Sequence, residues 1–107
     1  MKLNYRRFLV WERAVELVRV VGRRPPGDSE LRRQALRAAT SVGLNIAEGC
    51  GVVGAMRRKH FRIARGSVAE VAAAYDLAAA LGERVPAEQV ADLANQLAAM
   101  LSALIRR

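Results

Sequence analysis

Four stretches of the chain repeat apolar residues every three or four positions, the spacing of a helix with one buried face, and three clusters of glycine or proline separate them. The first stretch runs from about Phe8 to Val21, with Trp11, Ala14, Val15 and Val18 as its inward stripe. Val10, Leu17 and Val20 fall elsewhere on that wheel. A helix apolar on more than one side is expected to be buried on more than one side, so this one is predicted to face another subunit as well. After Gly22-Arg23-Arg24-Pro25-Pro26-Gly27, either Asp28 or Ser29 can cap a second helix, whose stripe is Leu31, Ala35, Ala38, Ala39, Val42 and Ile46 and whose end lies near Glu48. Gly49, Gly51 and Gly54 punctuate the next connection. A third helix is predicted from about Ala55 to Leu81, with Phe61, Ala64, Val68, Val71, Ala72, Tyr75 and Ala79 inward, and Gly82 stops it. Pro86 suits the first turn of a fourth helix, in which Val90, Leu93, Leu97, Met100 and Leu104 alternate at three and four. Strand patterns are nearly absent. The prediction is all-α: residues 1–107 form one up-down-up-down antiparallel four-helix bundle, because short connections force neighbouring helices antiparallel.

Composition agrees with that pattern. The 107 residues are 52% hydrophobic and 26% charged, too apolar for a disordered chain and too charged for a membrane bundle. No apolar run approaches the roughly 20 residues needed to span a bilayer, so no membrane partner is expected. A single cysteine, Cys50, allows no intrachain disulfide, and no leader pattern opens the chain, so the cytoplasm is the expected compartment. A core this small gains stability by association, which makes a homo-oligomer the expected state. The formal net charge is +8, unevenly placed: residues 1–66 carry fifteen basic and five acidic side chains, residues 67–107 three and five. Such an excess favours a polyanionic partner, nucleic acid first.

Most candidate chemistries fail on residue identity. Gly49-Cys50-Gly51-Val52-Val53-Gly54 spells G-x-G-x-x-G, with Glu70 about 20 residues on, but that dinucleotide fingerprint works only where a strand delivers the loop to a helix. Here a helix precedes it. No Lys-Ser or Lys-Thr follows, so it is not a phosphate-binding Walker loop either. His60 is the only histidine and lacks the Glu-x-x-His spacing of bundle metal sites. No metal and no cofactor are expected. Small helical RNA-cleaving domains place an arginine and then, after four to six residues, a histidine; Val53, Gly54 and Ala55 occupy the positions that would hold that arginine. His60 therefore reads as a solvated or phosphate-contacting side chain. Cys50 lies near Arg57 and Arg58, which favour a thiolate, yet no general base stands beside it. With no nucleophile, base or metal set in place, the chain is not expected to be an enzyme.

Two constellations remain. Arg58, Arg62 and Arg65 fall within about 60° of one another on the third helix, a basic ridge whose planar forks suit phosphate oxygens. Arg33, Arg37 and Arg57 are the expected auxiliary contacts to nucleic acid. Aromatic residues number five, with Trp11, Phe61 and Tyr75 assigned to the core, so base-specific readout of single strands is not expected. The second constellation, Arg37, Ser41, Asn45 and Glu48, follows a polar ridge of the second helix at spacings of four, four and three. Together with Trp11 and Leu17, Ser41, Asn45 and Glu48 are expected to fix helix packing or a subunit contact rather than to catalyse.

The stretch Arg37-Ala38-Ala39-Thr40-Ser41-Val42-Gly43-Leu44-Asn45-Ile46-Ala47-Glu48-Gly49 closely resembles the signature of a bacterial four-helix-bundle family first noticed as proteins encoded in intervening sequences of large-subunit ribosomal RNA genes. That family shows a Ser-Ile-x-x-Asn-Ile-Ala-Glu-Gly core. Further matches are Val10-Trp11 with Ala14 and Leu17, Phe61-x-Ile63-Ala64-x-Gly66-Ser67 with Glu70, and Met100-Leu101 with Leu104-Ile105, so the resemblance covers nearly the whole chain. Gly43 stands where proline is common, Val52 where arginine is common, and the loops are short. The resemblance implies a ring-shaped assembly, a homopentamer. A related branch serves as the basic accessory protein of diversity-generating retroelements, which implies nucleic acid and a reverse transcriptase or other protein as partners. The resulting expectation is a non-enzymatic basic bundle that contacts nucleic-acid phosphates. The alternative is a protein-interaction scaffold that docks a partner on the extra apolar face of the first helix.

Overall fold

The computed structural model describes residues 3–107, and among them every regular element is helical. A 3-10 turn at Tyr5–Arg7 precedes α1 (Leu9–Arg23), α2 (Ser29–Cys50), α3 (Gly54–Ala80) and α4 (Ala87–Ile105). The connections span only residues 24–28, 51–53 and 81–86, so consecutive helices run antiparallel. Each helix packs on its two neighbours, α1 closing the square against α4, and the diagonal pairs do not approach. The most extensive contact joins α2 to α3, where Ala35, Ala38, Ala39, Ala64, Ala74 and Ala78 are buried and their small side chains let the two axes come close. No helix among the described residues is long and apolar enough to cross a membrane.

The end of the bundle where α1 meets α2 is tied by a helix cap and by hydrogen bonds between distant segments. The Asp28 carboxylate accepts from the Leu31 N–H at 3.0 Å, making Asp28 the cap of α2. Glu83, from the α3–α4 connection, accepts from the N–H groups of Gly27 at 2.6 Å and Asp28 at 3.0 Å. The fully buried Tyr75 donates its hydroxyl to the Arg24 carbonyl at 2.9 Å. Burial pushes the Tyr75 phenol up to about 12, with the positive charge of Arg24 pulling weakly the other way.

Packing corrects the inward stripe of α1. Val10, Ala14, Leu17, Val20 and Val21 are buried, while Trp11, Val15 and Val18 are only half-buried. Both rows have helical spacing, and docking against α2 and α4 together selects the one containing Leu17. Further along, α3 buries Ala74 and Ala78 and leaves Ala79 exposed, and α4 buries Leu101 ahead of Met100 and Leu104. A straight helix drifts relative to a strict three-four repeat, so the inward row slips by one residue over several turns. Pro86 sits one position earlier than expected, at the N-cap, where its carbonyl accepts from Val90 at 3.0 Å. The second helix runs past Glu48 to Cys50, so two of the residues assigned to a glycine loop are helical.

Candidate nucleic-acid interface

The tightest junction in the molecule joins α2 to α3 through residues 51–53. Gly49 lies against Phe61 so closely that a Cβ there would stand 2.5 Å from its ring. Gly54 takes φ +62, left-handed backbone that glycine adopts without steric cost, and α3 starts from it. Arg57 folds back to close the junction: its Nε donates to the carbonyls of Gly49 at 3.1 Å and Val52 at 2.8 Å. A cation at the C-terminus of α2 also offsets the partial negative charge there. No side chain caps the start of α3 and no acidic residue lies in its first turn, which leaves the positive pole of that helix uncompensated.

Antiparallel topology brings three other segments to the same end. A cleft of about 290 Å³ is lined by Asn4 and Phe8 from the N-terminal segment, Val10 of α1, Cys50, Gly54, Arg57, Arg58 and Phe61 of the junction, and Leu104 and Arg107 at the end of α4. Topology also brings Arg6, Arg7, Lys59 and Arg106 to this end of the bundle, with Arg62 two turns along α3, and the carboxylates of Glu12 and Glu48 share it. Arg58 is half-buried and Arg62 exposed, and neither has a hydrogen-bond or ion-pair partner among the described residues. Burial raises the Cys50 thiol pKa, with the Arg57 charge opposing; the cationic neighbourhood does not produce an activated thiolate.

The six arginines expected to contact phosphate do not share one surface. Arg58, Arg62 and Arg65 line one flank of α3 at i, i+4 and i+7, but Arg65 is half-buried and donates to the Ser102 hydroxyl of α4 at 3.1 Å. Arg57 holds the junction. Arg33 forks onto Glu30 at 2.7 Å, and the Glu30 carboxyl is held below its usual range by the Gln34 amide first and Arg33 second. Arg37 donates to Gln34 at 2.5 Å and stands 3.6 Å from Glu70. Arg33 and Arg37 therefore sit with carboxylates on the N-terminal half of α2, away from the basic end.

The polar ridge of α2 finds its other half on α3. Asn45 donates from Nδ2 to the Ser41 carbonyl at 2.9 Å and to its hydroxyl at 3.1 Å, which turns Oδ1 toward His60 Nδ1 at 3.0 Å. An amide oxygen only accepts, so that ring nitrogen carries the proton. The other ring nitrogen faces Glu48 at 3.3 Å, and Ser67 donates to the Ser41 hydroxyl at 3.0 Å. The His60 side chain is 15% exposed, which corrects its reading as solvated. His60 and Ser67 lie seven residues apart on α3, hence on one face, and that spacing was the available signal for their joint role. The hydroxyls bond to each other and to Asn45, not to the imidazole, so the chain of bonds joins helices without pairing a nucleophile with a base.

Between α1 and α2, Trp11, Ala14, Val15 and Val18 of α1 and Thr40, Gly43 and Leu44 of α2 line an open, almost wholly apolar groove of about 360 Å³. The bare Gly43 lets the indole lie against α2, and Tyr5 packs edge-on to it with ring centres 4.6 Å apart. Leu17 is fully buried inside the protomer and does not reach this groove.

Residues 6–106 match a family model described as 23S rRNA-intervening sequence protein. No curated protein matches the chain.

Proposed function

The chain belongs to the 23S rRNA-intervening sequence protein family, and from that premise we propose that it is a non-enzymatic accessory protein that binds RNA or DNA through phosphate contacts at its basic end. The observation that carries this reading is the convergence of Arg6, Arg7, Arg57, Arg58, Lys59, Arg62, Arg106 and Arg107 around the start of α3. Arg58 and Arg62 are the principal donors, since neither is engaged by a carboxylate or carbonyl among the described residues. The uncapped N-terminus of α3 adds N–H groups and a favourable dipole for phosphate.

Fluorescence anisotropy with labelled RNA and DNA oligonucleotides, titrated at several salt concentrations, tests this. Binding that weakens steeply with salt is expected, and Arg58→Gln with Arg62→Gln flattens the slope of log Kd against log salt by roughly 1.5 to 2. Arg33→Gln, already paired with Glu30, changes the slope little. Absence of salt-sensitive binding to either polymer rejects the reading.

We also propose that copies associate into a homo-oligomer through the Trp11 groove, because an open apolar surface beside an indole gains by leaving water. Leu44→Glu, on the exposed lip, should shift the mass measured by light scattering toward the monomer. The same groove is what favours the scaffold alternative: a partner protein recovered in pull-downs after nuclease treatment, with no nucleic-acid binding by anisotropy, would establish that role instead.

A further inference from the structure

We infer that the cleft at the basic end is a site for one nucleotide-sized group, an aromatic base carrying its phosphate, and this rests on the nucleic-acid reading above. Its volume, about 290 Å³, lies at the small end of ligand pockets, about 300 Å³, too little for a duplex or a peptide helix. Its lining divides into two chemistries. Phe61 and Leu104 form an apolar floor, and Phe8, 40% exposed, adds an aromatic ring over which the Arg7 guanidinium stands 5.8 Å from the centre. Arg58 and Arg107 form a cationic rim, and no Asp or Glu is among the lining residues. A cationic or purely apolar guest would leave the rim unpaired, whereas a ring with an attached phosphate satisfies both parts at once.

Arg58 supplies the strongest argument. Arg58 has no hydrogen-bond or ion-pair partner among the described residues, so its planar fork is free to meet an entering phosphate with charge-assisted hydrogen bonds. Arg57, fixed by the carbonyls of Gly49 and Val52, holds the adjoining wall in place before a ligand arrives. The same chemistry is presented by an unstacked nucleotide of a longer strand and by a free mononucleotide. The site selects for a single unpaired unit, not for a sequence.

Cys50 lines the cleft and reports occupancy. The experiment measures its alkylation rate by iodoacetamide at about pH 9, near the ordinary thiol value, with adenosine 5′-monophosphate, inorganic phosphate, a single-stranded oligonucleotide or its abasic counterpart. Anisotropy is run on the same samples. The mononucleotide and the oligonucleotide are expected to slow alkylation saturably, and phosphate alone and the abasic strand not to. Arg58→Gln should raise the mononucleotide concentration required by about tenfold. Leu104→Trp, which fills the floor, should remove protection while the circular-dichroism spectrum stays helical. Equal protection by phosphate alone overturns the base-binding part. An oligonucleotide that binds by anisotropy without protecting Cys50 overturns the cleft and leaves the proposed function standing. Protection by the mononucleotide without any oligonucleotide binding overturns the proposed function and makes the cleft a site for free nucleotides.

Discussion

A methyl group at Gly49 would stand 2.5 Å from Cε1 and 2.8 Å from Cδ1 of Phe61, and that ring is only 2% exposed, so it can give way only by pushing into the cleft that it lines. Gly49→Ala should therefore destabilise the protein by about 1–3 kcal/mol, the range for overpacking, although alanine is the better helix former. Urea unfolding followed by circular dichroism measures it, and an unchanged midpoint would mean that the ring shifts freely. Tyr75 makes a different prediction, in pH. Its phenol is neutral when folded and its ionisation is pushed from 10.0 to about 12, so between those values the unfolded chain has released a proton that the folded chain retains. The stability contributed by the neutral phenol is complete below pH 10 and is lost as the pH climbs toward 12. Tyr75→Phe should begin about 1 kcal/mol less stable, for want of the bond to the Arg24 carbonyl. That deficit should close across the same interval, and a deficit constant with pH would exclude the buried phenol as its source.

The α2–α3 pair shows what one element needs from another. Asn45 is the hinge of the Ser67–Ser41–Asn45–His60–Glu48 chain, donating along its own helix and accepting across to the next. Asn45→Ala strips the partner from a ring N–H that is mostly shielded from water and should cost about 1–3 kcal/mol. Glu48→Gln should cost under about 0.5 kcal/mol, since that carboxylate is 66% exposed and its contribution is screened. A double-mutant cycle between Asn45→Ala and His60→Phe should return a coupling of about 0.5 kcal/mol or more; independence of the two would remove the bond as a stabilising link. The polar half of this network on α2 was legible from spacings of four, four and three. Its partners were not, because fifteen residues separate Asn45 from His60 and twenty-six separate Ser41 from Ser67, and periodicity reports a face without saying what meets it. The same gap explains α1. Helix number and near-correct ends followed from Gly22, Gly54, Gly82 and the apolar repeat, but α1 carries two apolar rows of equal quality, and only the docking of α2 and α4 decides between Leu17 and Trp11.

At the scale of the whole molecule, charge position carries more information than total charge. Along the chain, the positive excess belongs to residues 1–66, yet Arg106 and Arg107 join the basic end because α4 returns there, while Arg33 and Arg37 drop out because Glu30, Gln34 and Glu70 engage them. The opposite end carries Arg19, Arg23, Arg24, Arg32, Arg33 and Arg84 among Asp28, Glu30, Asp76, Glu83 and Glu88, a nearly balanced mixture. Two triple variants separate position from quantity. Arg6→Gln, Arg7→Gln and Arg107→Gln remove three charges at the basic end; Arg19→Gln, Arg23→Gln and Arg84→Gln remove three at the other. Both leave the formal net charge at the same value, so a protein held to nucleic acid by its overall field alone would weaken equally in the two. If phosphate is bound at the basic end, the first variant loses about tenfold or more in affinity at moderate salt and a correspondingly shallower salt slope, while the second loses less than about threefold. Cyclic association would sharpen the contrast, since copies related by a rotation axis present the same end with the same tilt to that axis, and a charge removed from one protomer is removed from every copy on that rim. Equal losses in the two variants, measured by anisotropy at matched salt, would leave a diffuse field as the only electrostatic contribution and take the binding surface away from the start of α3.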